Sequence, residues 1–334
     1  MRQSSPVKHK IVAPILLALC VFFVGPSKAA AEPNLQMWLK ELRVEALGKG
    51  IRAKTFDKAF EGFKPILRII ELDNRQPEFT LTFPKYLSKV IPKSRIKRGK
   101  AKYLENKVLL DKIGKEYGVQ PRFIMAFWGV ETSFGRHFGG FSVVHSLATL
   151  AYDGRRGKYF RSELHRALRI LNQGHIDHKR MKGSWAGAMG NFQFMPSSFE
   201  NFAVDYDGDG KRDIWTNKGD AFASAANYLS KSGWRHDQNW GRAVKLPDSF
   251  DTSLVARKTK KKISDWQALG VRRIDGTDLP KRNLKASIVI AQNKRTEKVG
   301  HAFMVYNNYQ VTLKWNRSTF FAVAVGTLAD QIGR

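Results

Sequence analysis

The stretch Phe127-Trp128-Gly129-Val130-Glu131-Thr132-Ser133-Phe134-Gly135 holds a single carboxylate among aromatic rings. Read as a helix, it gives Glu131 the neighbours Phe127, Trp128 and Phe134 at i−4, i−3 and i+3, the positions that meet on a helix surface. The acid then lies on an apolar face, and burial among rings disfavours the charged form and raises a carboxyl pKa. A carboxyl group kept protonated near neutral pH is what a general acid needs to protonate a leaving oxygen. The window also fits a surface glutamate whose aromatic neighbours face the core, and taken alone it leaves both readings open.

Helical periodicity continues on both sides of this window. Upstream, Tyr103, Leu109, Leu110, Ile113 and Tyr117 mark a helix closed by Gly118, and Pro121 suits the first turn of the helix that carries Glu131. Downstream, Ser142 opens a helix, residues 160–171 form another, and 220–229 form one that Gly233 closes. Toward the N-terminus, Leu35, Trp38, Leu39, Leu42 and Ala46 keep a helical period that Gly48 and Gly50 stop. Short helical stretches punctuated by Pro65, Pro77, Pro84 and Pro92 follow, and 93–102 reads as a basic linker. Beyond Gly241 the texture changes: 243–246, 253–256, 286–291, 302–306 and 310–313 are short β-prone runs between basic and Gly/Asp turns. The run Lys258-Thr259-Lys260-Lys261-Lys262 reads as a solvated loop, and Ser318 caps a final apolar helix through Ile332. The pattern predicts a mostly helical protein with a small β insertion before its last helix.

With 334 residues and 43% hydrophobic content, the chain has enough apolar material for one large or two to three small domains. Its N-terminus reads as an export signal: Arg2, Lys8 and Lys10 precede an apolar run at 11–24, and Ala29-Ala30-Ala31 offers a cleavage site before Glu32. The run falls short of the roughly 20 residues a spanning helix needs. The expectation is an exported, periplasmic, monomeric protein with no transmembrane segment in its mature form. Cys20 is the one cysteine, and bulky Leu19 before it argues against a lipid anchor, so the mature chain has neither thiol nor disulfide.

The 58 Lys+Arg against 29 Asp+Glu give +29, which removal of residues 1–31, with four bases and no acid, lowers to +25. Such a charge favours a polyanionic partner by long-range attraction. Nucleic acid fits an exported chain poorly and no reader motif accompanies the charge, so no nucleic-acid partner is expected; an acidic wall polymer or anionic membrane surface suits the compartment.

Two further segments carry chemistry. In Gly183-Ser184-Trp185-Ala186-Gly187-Ala188-Met189-Gly190-Asn191-Phe192-Gln193-Phe194-Met195-Pro196-Ser197, small residues admit another chain to the backbone while rings and amides supply stacking faces and hydrogen bonds, as a sugar groove requires. A tight Gly-rich turn between helices is the plainer reading of the same residues. In Asp205-Tyr206-Asp207-Gly208-Asp209-Gly210-Lys211-Arg212-Asp213, carboxylates at loop positions 1, 3, 5 and 9 with glycine at 6 follow an EF-hand calcium loop. The Lys211 carbonyl would ligate at position 7; Thr216 stands where a bidentate Glu belongs, and Asp220 could close the shell. An Asx-turn stabilised by Lys211 and Arg212 is the alternative.

Together these segments resemble the B-type lytic murein transglycosylases. The likeness includes Val130-Glu131-Thr132, residues 150–160 with Arg155-Arg156, residues 183–197, the aspartate loop, Ala226-Asn227-Tyr228-Leu229 with Gly233-Trp234, and Trp315-Asn316-Arg317-Ser318. It runs from about residue 34 to 332 in the same order. It implies a mainly α (α+β) fold with a lysozyme-like helical core, an N-terminal helical domain and a small β domain before the last helix. The boundaries expected on that basis are 1–31 signal, 32–102 helical domain and linker, 103–240 core, 241–313 β domain and 314–334 returning helix. It also implies cleavage of the MurNAc–GlcNAc bond of peptidoglycan without water.

By the same resemblance, Glu131 is the single acid/base, and Ser184 and Gln193 hold the N-acetyl group and the acid. Arg155 and Arg156 meet lactyl or peptide carboxylates. Tyr86, Tyr159, Phe194, Met195, Tyr228, Trp315 and Asn316 line the groove. Asp205, Asp207, Asp209, Lys211, Asp213 and Asp220 form a structural calcium site, and no cofactor is needed for the chemistry. Two departures stand out: Trp315 and Phe321 occupy positions where the family has tyrosine, which removes hydroxyls and leaves a hydrogen bond to Glu131 or substrate in question. The active-site windows offer Glu131 alone, with Glu163 the nearest helical alternative. Paired-carboxyl glycosidase chemistry is thereby disfavoured against substrate assistance. A hydrolytic muramidase and a non-catalytic wall-binding protein remain the rival classes.

Overall fold

The computed structural model describes residues 31–74, 81–293, 295, 297 and 300–333. Positions 1–30 of the expected leader, Cys20 among them, lie outside the described residues. Helix α1 (Ala31–Gly48) contains the boundary between two compact units, Met1–Leu42 and Arg43–Arg334, and everything below belongs to the second. No helix of the described residues is long and apolar enough to cross a membrane.

Among the described residues, α2 (Ala53–Ala59), α3 (Leu67–Asn74), α4 (Phe83–Val90), α5 (Lys93–Glu105) and α6 (Lys107–Tyr117) lead to α7 (Pro121–Thr132), which carries Glu131. The basic run at 93–102 is therefore helix and not linker. Lys and Arg are good helix formers, and the one residue α5 buries is Gly99, where a Cβ would stand 2.8 Å from Ile332 Cδ1. Asn106 ends α5 with its Nδ2 on the Lys102 carbonyl at 2.8 Å, so Tyr103 and Leu109 belong to different helices.

Helix α7 starts on Pro121, whose missing N–H costs nothing in a first turn. It ends because Ser133 and Phe134 take φ of 53° and 62°. That left-handed turn folds Phe134 back against Trp128, with ring centroids 5.7 Å apart, and over Gly129, where a Cβ would meet the Phe134 ring at 2.7 Å. Phe134 thus reaches Trp128 through the turn and is not an i+3 neighbour within the helix.

Strand β1 (Phe141–Ser142) leads into α8 (Val143–Asp153), capped by Ser142 Oγ, which accepts from His145 N at 3.4 Å. After α9 (Gly157–Asn172), strand β2 (Lys182–Gly183) pairs antiparallel with β1, placing Phe141 opposite Gly183. Helices α10 (Pro196–Phe202) and α11 (Lys218–Lys231) follow.

The β-rich part comprises β3 (Gly241–Lys245), β4 (Lys261–Lys262), α12 (Ile263–Ala268), β5 (Arg272–Arg273), β6 (Lys285–Ala291) and β7 (His301–Val305). Its strands form one antiparallel sheet in the order β4-β6-β7-β3-β5. It has its own core around buried Trp266, whose Nε1 donates to the Ala286 carbonyl at 3.0 Å. Two expected strands are otherwise: 253–256 overlaps a short 3-10 turn at Thr252–Leu254, and 310–313 lies in α13 (Asn307–Trp315). The sheet is therefore followed by two helices, α13 and then α14 (Thr319–Ile332), which Ser318 caps. Trp240 anchors the junction: its carbonyl accepts from Tyr306 N at 2.9 Å and its Nε1 donates to Asp330 at 3.0 Å. A Cβ on Gly326 would fall 2.2 Å from that indole, so α14 passes it only with glycine there.

Candidate active site and aspartate loop

Glu131 sits half-buried in the last turn of α7. Its Oε1 accepts a hydrogen bond from Trp315 Nε1 at 2.8 Å, across 184 residues of sequence. Trp315 ends α13 and lies among rings, its centroid 4.6 Å from Phe127, 4.6 Å from Tyr228 and 5.3 Å from Phe194. Tyr228 donates its hydroxyl to the Lys314 carbonyl at 2.9 Å, and burial raises its phenol pKa. The hydrogen bond to Glu131 that Trp315 left in question is made by its indole N–H in place of a hydroxyl. Phe321 is buried, its ring 6.1 Å from Phe127.

The Gly-rich segment is held against this helix end by Asn191, one of the amides that the sequence offers to a sugar groove and that the fold instead buries. Asn191 is buried and accepts from Trp128 Nε1 at 2.7 Å, while its Nδ2 donates to the Ile214 carbonyl at 3.1 Å and the Trp215 carbonyl at 2.9 Å. Its own carbonyl accepts from Thr132 Oγ1 at 2.9 Å. One side chain therefore joins α7, the Gly-rich segment and the end of the aspartate loop; an amide in so apolar a stretch was the available signal. Close approach fixes the glycines: a Cβ on Gly183 would meet the Ala188 carbonyl oxygen at 2.1 Å. Gln193 has φ of 48°, and its Nε2 donates to the Phe138 and Gly190 carbonyls, both at 3.1 Å. Ser184 Oγ accepts from Ala186 N at 3.3 Å and Ala188 N at 3.1 Å.

Glu131, Phe194, Tyr228 and Trp315 thus come together in one cluster, with Phe192 6.3 Å from Trp315. Asn316 turns its Oδ1 to Ser318 N at 2.9 Å, and Met195 stands half-buried at the start of α10. Tyr86 lies 5.4 Å from Phe320. Arg155 and Arg156 both bind Asp73, which is 3% exposed; Arg155 Nε donates at 2.8 Å, and Arg156 Nη2 takes the other carboxylate oxygen. Tyr159, 46% exposed, packs edge-on against Phe160 at 5.1 Å. Glu163 is buried and accepts from Ser197 N at 2.9 Å, so it caps α10.

In the aspartate loop, Asp205, Asp207 and Asp209 each offer a carboxylate oxygen, and these lie within 4.8 Å of one another. Calcium–oxygen bonds of about 2.3–2.6 Å span such a separation, so the trio fits that ion. Asp205 also accepts from Gly208 N and Gly210 N, both at 2.8 Å, which orders the loop. The other three expected ligands, Lys211, Asp213 and Asp220, stand outside this trio. Asp220 is fully buried and accepts from Tyr206 N and Asp213 N, both at 2.7 Å, tying the loop ends together; burial raises its pKa. Asp213 accepts from Trp215 N at 2.9 Å and Thr216 N at 2.8 Å. Lys211 donates its N–H to Asp209 at 2.8 Å.

A transglycosylase SLT domain matches residues 34–330. The chain belongs to the transglycosylase SLT family. This SLT-family chain is similar to membrane-bound lytic murein transglycosylase B of Escherichia coli (strain K12), at 32% identity over 285 residues covering 80% of this chain and 73% of that one. It matches the crystal structure of SltB3 from Pseudomonas aeruginosa in complex with NAG-anhNAM-pentapeptide at a TM-score of 0.85 and 42% identity, covering 89% of this chain and 79% of that one. It also matches the Escherichia coli lytic transglycosylase Slt35 in complex with calcium at a TM-score of 0.72 and 29% identity, covering 88% and 92%. The mainly α, lysozyme-like fold with a small β part agrees with the fold the resemblance implied.

Proposed function

We propose that this SLT-family enzyme cleaves the β-1,4 bond between MurNAc and GlcNAc of peptidoglycan without water, with Glu131 as its acid and base. The observation that carries the reading is the contact between Glu131 Oε1 and Trp315 Nε1 inside the ring cluster. With Oε1 held as an acceptor, the transferable proton belongs to Oε2. Glu131 protonates the leaving GlcNAc oxygen while the bond from it to muramic C1 breaks and the acetamido oxygen bonds to C1. The carboxylate then takes the proton of the muramic C6 hydroxyl, O6 bonds to C1 and the acetamido oxygen leaves, closing a 1,6-anhydro ring. Holding nucleophile and electrophile in one sugar supplies proximity that a water molecule lacks. The half-buried Tyr228 and Trp315 rings suit sugar stacking, and the Ser184 and Gln193 segment suits the acetamido group. SltB3 in complex with an anhydro-muropeptide supports this substrate class.

A digest of purified sacculi in heavy-oxygen water tests the reading. The fragments released should be lighter by one water than those of a lysozyme digest, carry no solvent oxygen and resist borohydride. Reducible, isotope-labelled muramic ends as the main product would instead make the protein a hydrolytic muramidase. Bound but uncut sacculi would make it a wall-binding module.

Calcium at Asp205, Asp207 and Asp209 is proposed as a structural ion. A flexible set of oxygens suits calcium better than magnesium, and binding to the folded state alone raises stability by mass action. With calcium at about 100 times its dissociation constant that gain is ~2.7 kcal/mol. Melting temperatures in calcium and in chelator should therefore differ by several degrees, and Asp207→Ala should shrink the gap. Superimposable melts in the two buffers would leave the loop a turn. The export leader at 1–31 and a periplasmic location belong to the same proposal.

A further inference from the structure

Two adjoining cavities, of about 560 Å³ and 260 Å³, share Gln310 on α13. The first is lined by Arg257, Lys314 and Arg317, the second by Arg235, Lys260 and Lys285, and neither is lined by a carboxylate. All six cations are exposed, and none forms an ion pair among the described residues. Lys314 alone is tied down, its Nζ donating to the Ser232 carbonyl at 2.8 Å.

Several bases elsewhere are matched. On α9, Arg161 pairs with Glu45 at 2.9 Å and Arg169 with Glu200 at 2.7 Å, and Arg155 and Arg156 share Asp73. A solvated basic face needs no concavity, no exclusion of acids and no fixed position. This one is a joined groove, and Lys314 and Arg317 flank Trp315-Asn316, the pair that carries the donor to Glu131. Cations clustered in a concave surface without counter-charge concentrate the local field and attract an anion.

We infer that this groove reads the carboxylates of the peptide stem carried by the substrate, and that Arg257 and Arg317 are specificity-determining residues. The inference rests on the peptidoglycan reading above. N-acetylated glycan is uncharged, so the anions of that polymer lie on the peptides attached to its lactyl groups. A glycan strand seated on Trp315 lies against α13, the helix whose Gln310 and Lys314 line the groove. Arg155 and Arg156, expected to make these contacts, are ion-paired with Asp73, whereas the cations of this groove have no such partner among the described residues.

Binding tests this directly. Affinities for matched glycan strands, stem-bearing or freed of stems by an amidase with the lactyl carboxylate so uncovered converted to its methylamide, are measured in the Glu131→Gln background so that the strands persist. Arg257→Gln/Arg317→Gln should weaken binding to stem-bearing strands by roughly tenfold, the size two exposed ion contacts supply, and leave stem-free strands unchanged. Arg257→Glu/Arg317→Glu should weaken it further, and added salt should erase the preference for stems. Equal weakening on both strands, or none on either, would overturn the assignment, as would a parent that binds both strands alike. Mass spectra of wild-type digests report the chemistry of the new ends separately, so failure of the transglycosylase reading shows there whatever the stem preference.

Discussion

Glu131→Gln should lower fragment release from sacculi by about 10²–10⁴-fold, the range a positioned general acid contributes. The amide keeps the size of the side chain and an oxygen to accept from Trp315 Nε1, so the ring cluster of Phe127, Phe194, Tyr228 and Trp315 has no reason to reorganise. What it lacks is a proton to give and a base to take one back. The loss should therefore fall on kcat, with binding to sacculi and the melting temperature close to wild type. Fragment release at near wild-type rate by this variant would remove Glu131 from the chemistry.

Asn191→Ala should cost ~2–5 kcal/mol, because it strands the Trp128 Nε1 donor and the Trp215 carbonyl in the core at roughly 1–3 kcal/mol each. The Ile214 carbonyl is less affected, since Asn191 N donates to it at 2.9 Å and would still do so. The melting temperature should fall by on the order of 10 °C. Asn191→Asp separates hydrogen bonding from packing: it keeps an oxygen for Trp128 but turns a second oxygen toward the Ile214 and Trp215 carbonyls. It should melt no higher than the alanine variant. Wild-type melting in either protein would mean that α7, the Gly-rich segment and the aspartate loop are joined by something other than this amide.

Local chemistry made several elements legible. Pro121 at a first turn, Gly118 in a left-handed cap, and Ser142 and Ser318 as N-caps are all short-range effects, and each stands where the sequence put it. Residues 93–102 were misread because α5 buries only Gly99, a residue that signals a break in sequence but here admits Ile332. Residues 310–313 were misread because β-branched Val311 and Thr312 favour strands, whereas burial of both side chains in α13 overrides that preference.

The same division runs through the site. The sequence by itself determined that Glu131 is a carboxylate on an aromatic helix, that three aspartates alternate along a turn, and that the Gly-rich stretch demands close approach. Each follows from neighbours a few residues apart. Only the tertiary structure decided that Trp315 donates to Glu131, that Asp73 occupies Arg155 and Arg156, and that Asn191 joins three segments. It also decided that Asp220 ties the loop ends through backbone hydrogen bonds. These partners lie between 7 and 184 residues apart in sequence. Long-range pairing of polar groups is set by how packed elements bring donors and acceptors together, and spacing along the chain carries no record of it.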